Sequence, residues 1–236
     1  MDKQQEFHGD KKLPLRSPLA KIERRFIDHL TPRFPRWIEG YHLTLLTILW
    51  SAGLIGFGHL ARGNLHWLWL SSLLLLLQWF TDCFDGSLGR YRDTGIPKWG
   101  YHMDHFLDFV FMCSALVGYA LLLDGTSGTL LLLLIPVFGA LMVNSYLSFA
   151  ATNEFKITFL GMGPTEIRLA LILLNTAIIV FGPAFMAGAL PYVLPIGLVV
   201  VTVVVFRTQK YVWAIDMNDK RRRDENGEST EHDATS

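Results

Sequence analysis

The sequence predicts an all-α fold, that of a polytopic membrane protein with six transmembrane helices and an N-terminal interfacial amphipathic helix. Of its 236 residues, 51% are hydrophobic and 18% are charged, and most of the charges lie toward the two ends. The middle of the chain is a series of apolar stretches of roughly 20 residues, the length that a helix needs to cross a bilayer. These stretches lack the alternation of barrel strands, so helices must satisfy their backbone in lipid.

Six apolar stretches have this length, and a globular chain of this size cannot bury all of them. They are about 42–61, 66–88, 103–123, 128–150, 166–186 and 189–206. The chain then divides into an N-terminal segment (1–40), a six-helix transmembrane domain (41–207) and a charged tail (208–236). We expect the tail to be solvated and mostly disordered from Asn218 onward.

The N-terminal segment contains an amphipathic pattern. Ser17-Pro18 is typical of a helix start, and an apolar stripe follows at three- and four-residue steps. The stripe consists of Leu19, Ile22, Phe26 and Leu30. Basic residues off the stripe favour a helix lying on the cytoplasmic leaflet. Packing of this helix against the cytoplasmic end of the bundle explains the pattern equally well.

The distribution of Lys and Arg sets the orientation. With both termini on one side, that side holds every one of the 21 Lys and Arg residues except Arg62. The positive-inside rule therefore predicts cytoplasmic termini in a multi-pass integral membrane protein, and we expect a bacterial cytoplasmic membrane. Membrane lipids are expected partners and nucleic acid is not. Cys83 and Cys113 lie within predicted spans, where neither a disulfide framework nor a thiolate metal site is expected.

Two adjoining helix ends each carry aspartates and glycines on one face. At helical steps these are Asp82, Asp85, Gly86 and Gly89 on the second span, and Gly100, Asp104 and Asp108 on the third. An ionised Asp within a membrane helix costs a few kcal/mol, so each needs a partner or a wet cavity. Four of them at neighbouring ends indicate a multivalent cation. Glycines there leave room for a ligand, although close helix packing also explains them.

The nature of the ligands indicates which cation binds. All of them are oxygens, which favours Mg²⁺ or Mn²⁺. Four carboxylates could hold two ions about 4 Å apart, the arrangement that clamps a phosphoryl group. Arg90 follows one turn later and could meet phosphate oxygens, or it could be a topology anchor. His102 and His105 suit structural roles, with substrate contact as the alternative.

The run from Asp82 to Asp108 resembles the signature of the CDP-alcohol phosphotransferase (CDP-alcohol phosphatidyltransferase) family. That signature is D-x2-D-G-x2-A-R-x8-G-x3-D-x3-D. This chain departs from it twice: Gly89 replaces the usual Ala, and nine residues rather than eight separate Arg90 from Gly100. Near the first span, His42-Leu43-Thr44 is similar to the end of another family motif, Pro-Asn-x-x-Thr.

The resemblance implies an enzyme that transfers a substituted phosphate from a CDP-linked donor to an alcohol or lipid acceptor and releases CMP. It implies two metal ions held by Asp82, Asp85, Asp104 and Asp108, with Asp108 also the catalytic base. It places Gly86, Gly89, Arg90 and Thr44 at the CDP and phosphate, although Thr44 also suits an ordinary helix start. A homodimer is compatible with the resemblance.

The subgroup and the function class each have an alternative. Asp104-His105-Phe106-Leu107-Asp108 and Gly163-Pro164-Thr165-Glu166 are similar to stretches of choline and ethanolamine phosphotransferases, although Pro-Thr-Glu also suits a helix start. Intramembrane carboxylates also mark cation transporters and channels. The sequence favours the enzyme because it contains no visible repeat, and because its carboxylates lie near the cytoplasmic interface rather than at the midplane.

Overall fold

The computed structural model describes the backbone of residues 20–152 and 164–234, which is helical and contains no strand within those ranges. The all-α prediction is confirmed. The described α-helices are α1 (Ala20–Leu30), α2 (Gly40–Ala61), α3 (Leu68–Arg92), α4 (Pro97–Ala120), α5 (Gly125–Leu132), α6 (Leu134–Thr152), α7 (Pro164–Phe181) and α8 (Ala184–Ala234).

Five helical segments of the described chain are long and apolar enough to cross a membrane. They are Gly40–Ala61, Leu65–Arg92, Pro97–Ala120, Gly125–Thr152 and Ala184–Glu225. They correspond to the first, second, third, fourth and sixth predicted spans. α7 takes the place of the fifth, 166–186, but is not one of these five. Its 18 residues would measure about 27 Å, slightly less than the hydrocarbon core of about 30 Å.

The fourth predicted span, 128–150, is interrupted. α5 ends at Leu132 and α6 begins at Leu134. Pro136 explains the break, because it has no N–H to bond the carbonyl of Leu132 and its ring crowds that carbonyl. Both pieces still lie in one apolar segment that is long enough to cross the membrane.

α2 packs against both α3 and α4, the two helices that carry the aspartates. The backbones of α2 and α4 touch where two glycines meet. A Cβ at Gly58 would lie 2.6 Å from the Cα of Gly118, and a Cβ at Gly118 would lie 2.8 Å from the carbonyl oxygen of Leu54. Small residues permit such contacts between membrane helices. This crossing fixes the position of α4 relative to α2.

A buried polar chain joins α3, α4 and α7. The Tyr119 hydroxyl donates to Asn175 Oδ1 at 2.8 Å, and Asn175 Nδ2 donates to Ser72 Oγ at 2.9 Å. Asn175 is fully buried, so its amide needs these partners inside the bundle. The contacts hold α7 beside the two aspartate helices.

α1 packs against the end of the bundle that carries the aspartates. Ile27 and Leu30 contact a cluster built on Phe84, Leu88 and Leu43. The Phe26 ring lies 6.0 Å from that of Trp79 on α3. Of the two roles that the sequence allows for this helix, the structure therefore shows the bundle-packing one. Ser17-Pro18 and Leu19 lie outside the described residues.

α8 continues far beyond the apolar segment. It remains helical from Ala184 to Ala234, and its side chains from 218 to 225 are exposed. The predicted disorder of the tail from Asn218 is therefore wrong. The reason is that a helix which has already formed extends without a new nucleation cost. The run from Lys220 to Arg223 also favours the helical state.

Candidate metal centre

Three aspartates converge where the last turns of α3 face the first turns of α4. Asp82, Asp104 and Asp108 each offer a carboxylate oxygen, and the three oxygens lie within 4.8 Å of one another. All three side chains are half-buried. The helical repeat puts Asp104 and Asp108 one turn apart on α4, and helix packing brings Asp82 of α3 to them.

The group has the chemistry of a site for a hard divalent cation. Oxygen ligands suit Mg²⁺ and Mn²⁺, and ligands on opposite sides of Mg²⁺ are about 4.2 Å apart. The upper limit of 4.8 Å on the separations of the three oxygens is close to that value. The three aspartates could therefore hold a metal ion.

Asp85 is not a member of this group. Its Oδ2 accepts a hydrogen bond from the Thr44 hydroxyl at 2.8 Å, and its Oδ1 accepts one from the backbone N–H of Gly86. Thr44 is 5% exposed and lies on α2. The structure thus brings Thr44 to Asp85. The nucleotide contact expected for Thr44 stays a prediction.

The signature glycines have different surroundings. Gly86 is exposed, and a Cβ there would lie 3.0 Å from Nη1 of Arg90. Gly89 is buried, and a Cβ there would lie 3.0 Å from the Cα of Gly95 in the turn before α4. The Thr94 N–H also donates to the Gly89 carbonyl at 3.1 Å. Gly89 therefore lies against the turn before α4. The glycine at position 89 and the longer loop, which are the two departures from the signature, are thus in contact with each other.

Arg90 is exposed at the same end of α3. Its Nη2 donates to Ser87 Oγ at 3.3 Å, and its guanidinium lies over Gly86. This placement leaves the guanidinium accessible to a phosphate that approaches Gly86.

Arg92, two residues later, instead donates to the backbone carbonyls of Phe34, Pro35 and Ile38. These hydrogen bonds tie α3 to the segment before α2.

Arg168 of α7 joins the aspartate group, a role that the sequence analysis missed. Its Nη2 lies 2.8 Å from Asp82 Oδ2 and 4.0 Å from Asp108 Oδ1, and its side chain is 11% exposed. In the sequence, Arg168 is one of the 21 Lys and Arg residues that predict the orientation. It is nevertheless the only Lys or Arg between 164 and 206, and an ionisable residue in an apolar run is by default a functional candidate.

Gln78 is a second residue that the sequence analysis missed. It lies one turn before Asp82 on α3, is 1% exposed, and donates from Nε2 to Asp108 Oδ1 at 3.2 Å. Its Oε1 is buried with no hydrogen-bond partner in the part of the chain that the structure describes. A glutamine within an apolar helix was the available signal.

The two histidines of α4 have different neighbours. His105 Nδ1 lies 2.8 Å from the Tyr101 carbonyl and 3.8 Å from Asp104 Oδ2, while the Tyr146 hydroxyl donates to the His105 carbonyl at 3.1 Å. The ring of His102 stacks near Phe106. His105 thus lies beside the aspartate group, held by α4 and α6, in agreement with a structural role.

α1 reaches the edge of this site through Glu23. Glu23 Oε2 accepts a hydrogen bond from the Thr165 hydroxyl at 2.8 Å, and its Oε1 accepts one from Cys83 Sγ at 3.5 Å. Trp79 Nε1 also donates to the Thr165 hydroxyl, at 3.3 Å. Glu23 therefore joins α1 to the residue after Asp82 and to the first turn of α7, three residues before Arg168.

Residues 41–206 match the family model described as CDP-alcohol phosphatidyltransferase. Neither a curated protein nor a solved structure matches the chain. The matched range covers more than half of the chain and contains the aspartates, Thr44, Gln78 and Arg168.

Proposed function

The chain belongs to the CDP-alcohol phosphatidyltransferase family, and on that premise we propose a metal-dependent phosphotransfer at the grouped aspartates. It is a multi-pass membrane transferase of phospholipid synthesis. The proposed reaction moves a substituted phosphate from a CDP-linked donor to the hydroxyl of an alcohol or lipid acceptor and releases CMP. The observation that carries the proposal is the approach of Asp82, Asp104 and Asp108 to within 4.8 Å of one another.

The carboxylates would hold Mg²⁺ or Mn²⁺. Asp82, Asp104 and Asp108 would bind one ion, and Asp85 would join them in binding a second. Bound ions would supply positive charge that neutralises the diphosphate of the donor and the departing CMP. Thr44 supports this arrangement from α2, because its hydrogen bond restricts the orientation of the Asp85 carboxylate.

Asp108 is the proposed general base. The oxygen of the acceptor hydroxyl forms a bond to the β-phosphorus of the donor, while the bond from that phosphorus to the bridging oxygen breaks. The hydroxyl proton passes to the Asp108 carboxylate, and CMP departs with the bridging oxygen. Gln78 orients this carboxylate through its hydrogen bond at 3.2 Å.

The nucleotide and diphosphate are assigned to the exposed end of α3. Gly86 would present bare backbone to the nucleotide, and Arg90 would bind a phosphate oxygen through its accessible guanidinium. Gly89 is buried against Gly95 and Thr44 against Asp85, so these two residues would shape the same pocket through their neighbours.

The test is an assay of CMP release by the purified full chain. The protein in lipid nanodiscs is incubated with Mn²⁺, a CDP-linked donor and a panel of alcohol and lipid acceptors. Parallel reactions with CDP-diacylglycerol, CDP-choline and CDP-ethanolamine identify the donor, because the similarity of Asp104–Asp108 to choline and ethanolamine phosphotransferases favours the last two. CMP release that depends on Mn²⁺ and acceptor supports the proposal. No release with any donor would contradict it.

The family match favours the transferase over the cation-transporter alternative. A transporter would move Mn²⁺ into sealed vesicles without a nucleotide. The transferase should show no such uptake above protein-free vesicles, and this measurement separates the two classes.

A further inference from the structure

The guanidinium of Arg168 lies beside two of the three carboxylates that could hold a cation. Its Nη2 is 2.8 Å from Asp82 Oδ2 and 4.0 Å from Asp108 Oδ1, and these two carboxylates are also members of the metal-competent group. The contact joins residues 86 positions apart in sequence, so neither the aspartate signature nor its spacing predicts it.

The guanidinium and a divalent ion would make competing demands on Asp82. Both would bind the carboxylates of Asp82 and Asp108. Two positive centres only a few ångströms apart repel strongly where water is scarce. At 11% exposure, Arg168 has little water to screen that repulsion. The guanidinium must move away from Asp82, or lose part of its interaction, for the ion to enter.

We infer that Arg168 acts as a built-in counter-cation that competes with the divalent ion for Asp82 and thereby makes metal binding depend on the phosphate donor. The dependence of metal binding on the phosphate donor rests on the proposed function. The guanidinium cancels one of the four carboxylate charges, so two divalent ions would exceed the remaining negative charge. An anionic diphosphate restores the balance and offers the displaced guanidinium a new partner. Once the metal is bound, Arg168 would therefore contact the diphosphate instead of Asp82.

The location of Arg168 suits such a movement. It lies in the second turn of α7, close to Thr165, whose hydroxyl is held by Glu23 and Trp79. The start of the helix is therefore fixed while the long Arg side chain can change rotamer. An arginine can swing between carboxylate and phosphate without loss of charge at any working pH.

The first experiment measures Mn²⁺ affinity of the full-length protein without any nucleotide, by calorimetry and by the electron paramagnetic resonance signal of free Mn²⁺. We expect R168Q to bind Mn²⁺ at least about fivefold more tightly than the wild type, within the usual range of coupling between sites. R221Q changes the same charge on the exposed part of α8 and should leave the affinity unchanged. An R168Q affinity equal to or weaker than that of the wild type would overturn the competition.

If R168Q does not fold, R168K tests the competition between the guanidinium and Mn²⁺. Lysine keeps the charge, but its ammonium is shorter in reach and lacks the planar fork. We expect its Mn²⁺ affinity to be about two- to threefold tighter than that of the wild type. An unchanged or weaker affinity in R168K would overturn the competition. Thermal melting of each variant shows whether it is folded.

The second experiment repeats the titration with saturating CDP. We expect CDP to raise Mn²⁺ affinity in the wild type by a larger factor than in R168Q, because the variant has no guanidinium to displace. If CDP raised the Mn²⁺ affinity of the wild type and of R168Q by the same factor, Arg168 would not couple metal binding to the phosphate donor. Failure of the proposed function has a different signature, since it would appear as absent CMP release in a protein that still binds Mn²⁺.

Discussion

At the scale of single residues, the three grouped aspartates differ in their partners. Asp82 is paired with Arg168, whereas Asp108 accepts a hydrogen bond from Gln78 and lies farther from the guanidinium. Asp104 lies 3.8 Å from the ring of His105. Asp82 therefore has the strongest competing cation, while Asp108 is held by a neutral donor that leaves its negative charge in place. Of these two carboxylates, Asp108 is therefore better placed for the proposed role of base, in addition to its proposed role as a metal ligand.

Replacement of Asp108 tests the base. We expect D108N to lower the kcat of CMP release by about 10²–10⁴-fold or more, because the amide cannot accept the hydroxyl proton. Binding of the CDP-linked donor should remain largely intact, as measured by calorimetry with CDP. D85N is the comparison and should instead weaken metal-dependent donor binding. Near-wild-type turnover in D108N would show that another group is the base.

Gln78 tests the positioning of that base. Q78L removes the donor to Asp108, and a hydrogen bond to a charged group contributes about 1.5–3 kcal/mol. We expect kcat to fall at least about tenfold, with the KM of the donor little changed. The melting temperature should hold or rise, since the leucine also removes the unpartnered buried Oε1. A parallel loss of melting temperature and of both kinetic constants would mean that Gln78 is merely structural.

At the scale of elements, the turn between α3 and α4 explains both departures from the family signature. Asp93 caps α3 in the left-handed conformation at φ 56°, and the chain then brings Gly95 onto Gly89. The usual Ala at position 89 would press a methyl group against that backbone at 3.0 Å. The longer loop therefore favours glycine at position 89, which leaves room for Gly95.

The coupling between Gly89 and the loop can be measured by thermal melting. We expect G89A to lose on the order of 1 kcal/mol of stability, the usual cost of mild overpacking. Deleting Gly95 in the G89A background restores the family spacing and should recover part of the loss. G56A on α2 is the control, because nothing lies within 4 Å of its added Cβ, and it should be neutral or stabilising. Identical melting of G89A and wild type would show that the turn adjusts freely.

α1 is the element whose role the sequence left open. Its contacts with Phe84 and Thr165 predict that removing residues 1–31 lowers the melting temperature and reduces activity equally with bilayer-presented and short-chain soluble substrates. Melting temperature and apparent KM for both substrates are the measurements. A rise in KM confined to the bilayer-presented lipid would instead indicate that α1 recruits lipid at the interface.

At the scale of the whole molecule, the aspartate group lies at one end of the bundle. Its helices carry Arg90, Arg92 and Lys98 at that same end, together with the contacts to α1. A site there can release a nucleotide to water and receive a lipid from the adjacent leaflet, provided that this end faces the cytoplasm. The opposite end of α2 and α3 carries Arg62.

Reporter fusions test this orientation. We expect green fluorescent protein fused after Ser236 to fluoresce in bacterial cells and alkaline phosphatase at the same point to be inactive. Alkaline phosphatase inserted between α2 and α3, beside Gly63, should be active. The reverse pattern would put the aspartates outside the cytoplasm and contradict the positive-inside assignment.

The sequence by itself determined the all-α membrane fold, the positions of most spans and the aspartates that share a face. These features are local, because an apolar run of sufficient length and a repeat of 3.6 residues fix a helix and its faces without reference to the rest of the chain. The break at Pro136 is also local, because a proline inside a helix removes a backbone hydrogen bond whatever the rest of the chain does. The helical tail after Asn218 is local as well, because it continues a helix that has already formed.

Only the tertiary structure decided which faces meet. The contact of Gly58 with Gly118 sets how α2 and α4 cross, and the polar chain through Asn175 holds α7 beside them. That packing brings Arg168 to Asp82, Gln78 to Asp108 and Thr44 to Asp85, three pairs separated by 86, 30 and 41 residues. The physical reason is that a helical repeat orients a side chain about its own axis, whereas its partner depends on how close two separate backbones can approach.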